Sequence, residues 1–176
     1  MDVPPDELAD EVTYQIGALA AFAIAAGDRV RYVKPHGALY NRVVTDEEQA
    51  AAVIAGVVRA GGDLPILALP GSVLLARAAE AGLPTVTEGF VDRAYEPDGT
   101  LVSRRRPGAV LDQEGPIVAQ AVRLARSGEV VARNGEVVAV RPRSLCLHGD
   151  TPGAAALAAA VRRALTEAGA TIAPFA

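Results

Sequence analysis

Short β-rich runs alternate with longer helical segments along most of this 176-residue chain, and this alternation constrains the fold more than any other feature. The predicted strands are 29–33, 65–69, 84–88 and 144–147. The predicted helices are 6–26, 45–60, 73–81, 116–127 and 151–168. Regular alternation of strand and helix favours right-handed crossovers and a mainly parallel sheet. We therefore predict an α/β fold in a single domain, 1–176.

Local signals refine this pattern. Thr45 and Glu48 stand at the spacing of a capping box, which predicts that a helix begins at Thr45. Asn134-Gly135 lies between two β-rich runs and predicts a hairpin, and 171–172 is predicted to be a terminal strand. Four parallel strands are too few to close an eight-stranded β/α barrel. The pattern therefore leaves open a small open sheet or a piece of a larger barrel.

Composition excludes several classes of protein. Apolar residues make up 51% of the chain and charged residues 22%, which is typical of a globular protein and not of a disordered one. The net charge of −4 argues against nucleic acid or an anionic membrane as the main partner. The longest uncharged apolar stretch, 16–27, is shorter than the roughly 20 residues that span a bilayer. The single cysteine, Cys146, rules out an intramolecular disulfide, and no secretory signal is recognised, so we predict a cytoplasmic protein.

Three polar clusters each follow a predicted strand: 34–41, 88–95 and 148–150. In parallel α/β folds the carboxyl ends of the strands converge on one face, and ligands bind there. We therefore predict one site that contains both histidines and the single lysine of the chain. The residues expected to meet there are Lys34, His36, Glu88, Asp92, Arg93, His148 and Asp150.

Each of these residues also has a purely structural interpretation. His36 and His148 are then ordinary hydrogen-bonded histidines, and Asp92 with Arg93 is a loop brace. Lys34 is distinctive because it is the one lysine among 17 basic residues, which suggests a position that needs a compact point charge.

Several familiar motifs are not found. No glycine-rich run precedes Lys34, no dinucleotide-binding fingerprint follows the first strand, and no Gly-x-Ser-x-Gly elbow occurs. A zinc site made by His36, His148 and either Asp92 or Asp150 has suitable ligand types. The spacing of these residues does not require a metal, so that possibility stays open.

The segment KPHGALYN at 34–41 resembles the signature of the LamB/YcsF family. The resemblance extends over nearly the whole chain, through YQIGAL at 14–19, EGFVDRAY at 88–95, DGTLV at 98–102, Arg104 with PGA at 107–109, and CLHGDTPG at 146–153. Several motifs in the same order make it specific. The chain departs from the family pattern at Val91, where alanine is usual, and at Arg143, where aspartate is common.

The resemblance implies a deacetylase-like β/α barrel. The family's usual opening motifs, an Asp-Leu-Asn strand, a Cys-Gly-x-His-Ala-Gly-Asp loop and a Gly-Ala-His-Pro loop, are not recognised in this sequence. We therefore expect the chain to correspond to the C-terminal portion of that barrel, with the N-terminal strands missing.

By the same resemblance, the activity is that of the first of three components of an ATP-dependent 5-oxoprolinase, its A subunit, which cleaves the lactam of 5-oxo-L-proline to L-glutamate together with subunits B and C. ATP is then a co-substrate of the complex, and a divalent metal is left open. The alternatives are a metal-dependent amide or polysaccharide deacetylase-like hydrolase and a non-catalytic truncated remnant.

The resemblance also suggests roles for individual residues. His36 or His148 is expected to be the general acid or base, oriented by Asp150 or Asp92. Lys34 and Arg93 are expected to hold a phosphate or the substrate carboxylate. The full set of candidates is His36, His148, Asp150 and Lys34 for catalysis, and Arg93, Glu88, Asp92 and Asn41 for substrate binding.

Overall fold

Helices and short strands alternate in the computed structural model, which describes residues 3–151 and 153–176. In the described residues the helices are α1 (Pro5–Ala25), α2 (Gly37–Arg42), α3 (Glu47–Arg59), α4 (Val73–Glu80), α5 (Glu114–Ser127) and α6 (Ala154–Glu167). The strands are β1 (Ile66–Ala68), β2 (Thr85–Phe90), β3 (Glu129–Val131), β4 (Val137–Ala139) and β5 (Ser144–Cys146). The predicted α/β class and the presence of parallel strands are confirmed.

The chain divides into two compact units, one that ends at Val86 and includes Ala176, and one that runs from Thr87 to Phe175. A single domain that spans both units stays a prediction. No helix among the described residues is both long and apolar enough to cross a membrane.

The first unit is built around the contact between α1 and α3. A side chain at Gly56 would place its Cβ 2.6 Å from the carbonyl oxygen of Ala9, so only glycine permits this close approach. The hydroxyl of Thr13 donates to the carbonyl oxygens of Ala9, at 2.8 Å, and Gly56, at 3.1 Å, and so links the two helices. The buried core beside them includes Val57 and Leu74.

Three local predictions for the first unit need correction. The strand predicted at 29–33 is reduced to one parallel bridge between Val33 and Ile66. The helix α2 lies where no helix was predicted. The capping box at Thr45 is wrong, because Asp46 caps α3 and its Oδ1 accepts the N–H of Gln49 at 3.0 Å. Thr45 instead belongs to the turn that ends α2, where its N–H donates to the carbonyl of Arg42.

In the second unit, β2 and β5 pair in parallel with Gly89 opposite Leu145. A Cβ at Gly89 would lie 2.9 Å from Cγ of Pro142, so this position has no room for a side chain. Strand β2 extends to Phe90, two residues beyond the predicted end. Helix α5 packs against α6 and β3.

The predicted hairpin is confirmed. Val130 in β3 lies opposite Val138 in β4, and Gly135 in the turn has φ of +90°, a value that favours glycine. The predicted terminal strand at 171–172 is wrong, since these residues form no strand. The last helix begins at Ala154, and the part of its predicted start that falls on Pro152 lies outside the described residues.

Candidate active site

The carboxyl ends of β2 and β5 lie side by side because the two strands run parallel. Their pairing extends to Phe90 and Cys146, and the N–H of Val91 donates to the carbonyl oxygen of Cys146 at 3.0 Å. Asp92 and His148 are each the second residue beyond their own strand. The register of the strands therefore brings these two side chains to the same end of the pair.

The fully buried carboxylate of Asp92 holds His148 through both its backbone and its ring. The N–H of His148 donates to Oδ2 at 2.9 Å. Nδ1 of the ring lies 2.9 Å from Oδ2 and 3.0 Å from Oδ1. Because a carboxylate only accepts hydrogen bonds, Nδ1 carries the hydrogen. Nε2 is then the ring atom that can take up or release a proton.

The aromatic ring of Phe90 packs on the imidazole of His148. Their centroids are 5.5 Å apart and the two planes meet at 21°, which is a stacked arrangement. Phe90 is buried, whereas the side chain of His148 is 24% exposed. The ring is thus fixed in orientation by Phe90 and Asp92 while part of it stays accessible to a ligand.

Arg93 is buried, and its guanidinium donates to backbone carbonyls. Nε contacts the oxygen of Ala109 at 3.1 Å, and one Nη contacts the oxygen of Val102 at 2.5 Å. Burial, with a further contribution from the positive charge of Arg104, lowers the pKa of Arg93. These contacts favour the interpretation of Arg93 as a loop brace. Its predicted role in substrate binding stays a prediction.

Two residues that were not singled out in the sequence also hold this segment. The hydroxyl of Tyr95 accepts the N–H of Phe90 at 2.6 Å, and burial raises the pKa of Tyr95. On α5, Nε2 of Gln120 contacts three backbone carbonyl oxygens of residues 90–93. Gln120 is 27 to 30 residues from these partners and belongs to no motif, so no sequence signal connects it to them.

The two other acidic candidates of this unit differ in their surroundings. Glu88 lies on β2 and is 2% exposed. Asp150 is at the surface, where its carboxylate is 3.5 Å from the guanidinium of Arg104. Of the two aspartates considered as partners of a histidine, Asp92 is the one beside His148.

The remaining candidates belong to the first unit. Nζ of Lys34 lies 5.7 Å from the centroid of the Tyr40 ring, which is within cation–π distance. His36 is the N-cap residue of α2, and its exposed side chain makes no capping hydrogen bond. Asn41 donates from Nδ2 to the carbonyl oxygen of Gly37 at 3.0 Å, a contact within α2.

Lys34 and His36 line an open cleft of about 280 Å³ in the first unit. Glu11 and Gln15 of α1 provide further polar groups on its wall. The cleft therefore offers both a cation and polar side chains to a small ligand.

The predicted residues thus fall into two groups, one in each unit: Lys34, His36 and Asn41 in the first, and Glu88, Asp92, Arg93, His148 and Asp150 in the second. Their convergence at one site stays a prediction. Within the described ranges, no three His, Cys, Asp or Glu side chains are grouped so that they could hold a metal ion.

A solved structure of similar fold is the lactam utilization protein from Thermus thermophilus, with a TM-score of 0.92 and 41% sequence identity. The match covers 99% of this chain and 70% of that one. At this level of identity and structural similarity, the α/β fold described above is the fold of that protein in the matched region.

Similar sequences share one name, that of the A subunit of 5-oxoprolinase. The chain is 61% identical over all 176 residues to this protein of Streptomyces griseus, and 56% identical over the same length to that of Kocuria rhizophila. In Paracidovorax citrulli the corresponding identity is 51%. The chain spans about 70% of the length of each of these relatives.

The family profile described as the LamB/YcsF family matches residues 1–176, the whole of this sequence. Its range includes both strand ends that carry Asp92 and His148 and the segment from Lys34 to Asn41. The chain therefore belongs to the LamB/YcsF family.

Proposed function

We propose that this chain is the A subunit of a 5-oxoprolinase, the enzyme that opens the lactam of 5-oxo-L-proline to L-glutamate at the expense of ATP. The observation that carries the proposal is its high identity, over its whole length, to proteins named as that component of 5-oxoprolinase. The lactam utilization protein of similar fold supports the same class of substrate.

The chemistry of lactam opening suits the pair formed by Asp92 and His148. Water adds to the carbonyl carbon and loses a proton, the carbon–nitrogen bond breaks, and the ring nitrogen gains a proton as it becomes the amine of glutamate. Nε2 of His148 can accept the first proton and donate the second. The buried carboxylate of Asp92 holds the ring in one tautomer and stabilises the imidazolium that forms between the two steps.

An amide is a poor electrophile, and ATP supplies the free energy that the reaction requires. We propose that the complex phosphorylates the amide oxygen, and that Lys34 and Arg93 provide cations for a phosphate or for the substrate carboxylate. Asn41 and Glu88 are further proposed substrate contacts. Resemblance to the family supports these roles, as it supports partner subunits B and C, a cytoplasmic complex and a deacetylase-like β/α barrel.

The experiment combines the purified chain with partner subunits B and C and measures 5-oxoproline-dependent release of ADP together with glutamate. Asp92→Asn removes the negative charge beside the imidazole, and we expect turnover to fall by about 10²–10⁴-fold. Asp112→Asn is the matched control, because Asp112 is an exposed aspartate of the same unit, and it should retain full activity. Glutamate formation that is absent with the unsubstituted chain, or unchanged in Asp92→Asn, would overturn the proposal.

A further inference from the structure

The segment that carries Asp92 leaves β2 as a tight turn whose carbonyl groups need donors. The carbonyl oxygen of Asp92 itself accepts the N–H of Leu111 at 2.8 Å. The side chain of Asp92 is committed to His148. The position of the carboxylate therefore depends on how the residues on either side of Asp92 are held.

Those neighbours share one donor group. Nε2 of Gln120 lies 2.8 Å from the carbonyl oxygen of Phe90 and 2.8 Å from that of Arg93. The carbonyl oxygen of Val91 is 3.2 Å from the same nitrogen. An amide nitrogen has two hydrogens, so the two shorter contacts take one each and the third shares them.

This arrangement closes the turn around Asp92. Three carbonyl oxygens that point at one place repel one another unless a donor lies between them. Gln120 supplies that donor from α5, a helix anchored in the core of the unit through Ile117 and Leu124. The carbonyls it holds belong to residues both before and after Asp92, so the direction of the carboxylate is fixed from both sides.

We propose that Gln120 is a positioning residue for the catalytic pair: it aims the carboxylate of Asp92 at Nδ1 of His148 and thereby sets the tautomer of the imidazole. Its amide bonds backbone carbonyls and contacts neither ring nitrogen of His148. The catalytic use of this tautomer rests on the proposed function, whereas the structural coupling of Gln120 to His148 does not.

The test uses nuclear magnetic resonance of the imidazole nitrogens, since the chain has two histidines and the exposed His36 serves as an internal reference. In the unsubstituted chain, His148 should show hydrogen on Nδ1. In Gln120→Met, which keeps the length of the side chain but removes the donor, the His148 nitrogens should shift toward a mixture of tautomers. The His36 signals should not move.

A matched control lies on the same helix. Gln113→Met changes the exposed N-cap residue of α5, whose side chain makes no capping bond, and it should leave both histidine spectra unchanged. In the complete enzyme, Gln120→Met should lower kcat by about 10- to 100-fold with little change in KM, because it weakens proton transfer more than binding.

A folded Gln120→Met variant with an unaltered His148 spectrum would overturn the inference. Should that variant not fold, Gln120→Asn takes its place, since it keeps the amide but withdraws it by one methylene. An unaltered His148 spectrum in folded Gln120→Asn would overturn the inference equally. A shifted His148 spectrum in a protein that does not act on 5-oxoproline would support the inference and reject the proposed function.

Discussion

The two histidines of the chain share a His-Gly context, but their surroundings differ. His148 follows β5, and its ring is bonded to the buried carboxylate of Asp92 and stacked on Phe90. His36 stands at the start of α2 with an exposed side chain that makes no capping hydrogen bond. One imidazole is therefore fixed in tautomer and in plane, and the other is held by its backbone.

The difference teaches what turns a histidine at a strand end into a candidate catalytic group. A buried carboxylate within hydrogen-bond distance fixes the proton on one nitrogen and leaves the other for chemistry. That partner comes from a neighbouring parallel strand, since Asp92 follows β2 and His148 follows β5. Position after a strand is thus not enough, and the identity of the residue at the end of the adjacent strand decides the outcome.

The largest expected effect separates the two histidines by function. His148→Gln should lower 5-oxoproline-dependent turnover of the complex by about 10²–10⁴-fold, because it removes the proton-transfer group. His36→Gln should have a much smaller effect, since no carboxylate in the described part of the chain fixes the tautomer of its ring. Steady-state assays of glutamate formation with both variants provide the comparison.

The reverse order would break this comparison. If His36→Gln abolished turnover while His148→Gln kept most of it, the general acid or base would belong to the first unit. The pair of Asp92 and His148 would then be a structural brace between two strand ends.

A smaller effect is expected at Lys34, which lines the same cleft as His36. Lys34→Arg keeps the charge but replaces a compact ammonium by a wide planar group. Because a hydrogen bond to a charged group contributes about 1.5–3 kcal/mol, we expect a loss of roughly 10- to 100-fold in kcat/KM. Arg29→Lys, an exchange at an exposed cation of the same unit, is the control and should be silent.

Thermal unfolding should show similar Tm values for Lys34→Arg and the unsubstituted chain. Normal turnover of Lys34→Arg would assign Lys34 a structural role beside Tyr40. A large loss of stability would point to the same conclusion, because the activity loss would then follow from unfolding.

Some features of the site followed from local patterns in the sequence. Period and turn residues identify β2, β5 and the hairpin at Asn134-Gly135, because these depend on residues close together in the chain. Once two parallel strands are known, their carboxyl ends predict where polar side chains collect. Asp92 and His148 were therefore among the candidates before any coordinates were considered.

Other features depend on contacts that are distant in the sequence. The choice between Asp92 and Asp150 is made by strand register, which places the former beside His148 and leaves the latter at the surface. The donor role of Gln120 depends on how α5 packs beneath the turn at 90–93. No local pattern encodes either contact.

The smallest expected effect on turnover sharpens the account of the Asp92 segment. Tyr95 is fully buried, and its hydroxyl accepts the N–H of Phe90 at 2.6 Å. Tyr95→Phe removes that acceptor from a buried N–H, which should cost about 1–3 kcal/mol in the free energy of unfolding at neutral pH. Tyr14→Phe, at a ring that is 75% exposed, is the control and should change stability little.

The pH dependence of this difference gives a further test of the same contact. Burial raises the pKa of Tyr95, so the neutral phenol stabilises the folded state below the unfolded pKa of about 10. That contribution is lost as the pH rises from about 10 toward the higher folded-state pKa, since the unfolded chain then ionises while the folded one does not. The stability difference between the unsubstituted chain and Tyr95→Phe, measured by denaturant unfolding, should therefore be constant up to about pH 9 and shrink above about pH 10. A difference that grew with alkaline pH would show that the hydroxyl ionises in the folded state, and would contradict the hydrogen bond that holds Phe90 in place beside His148.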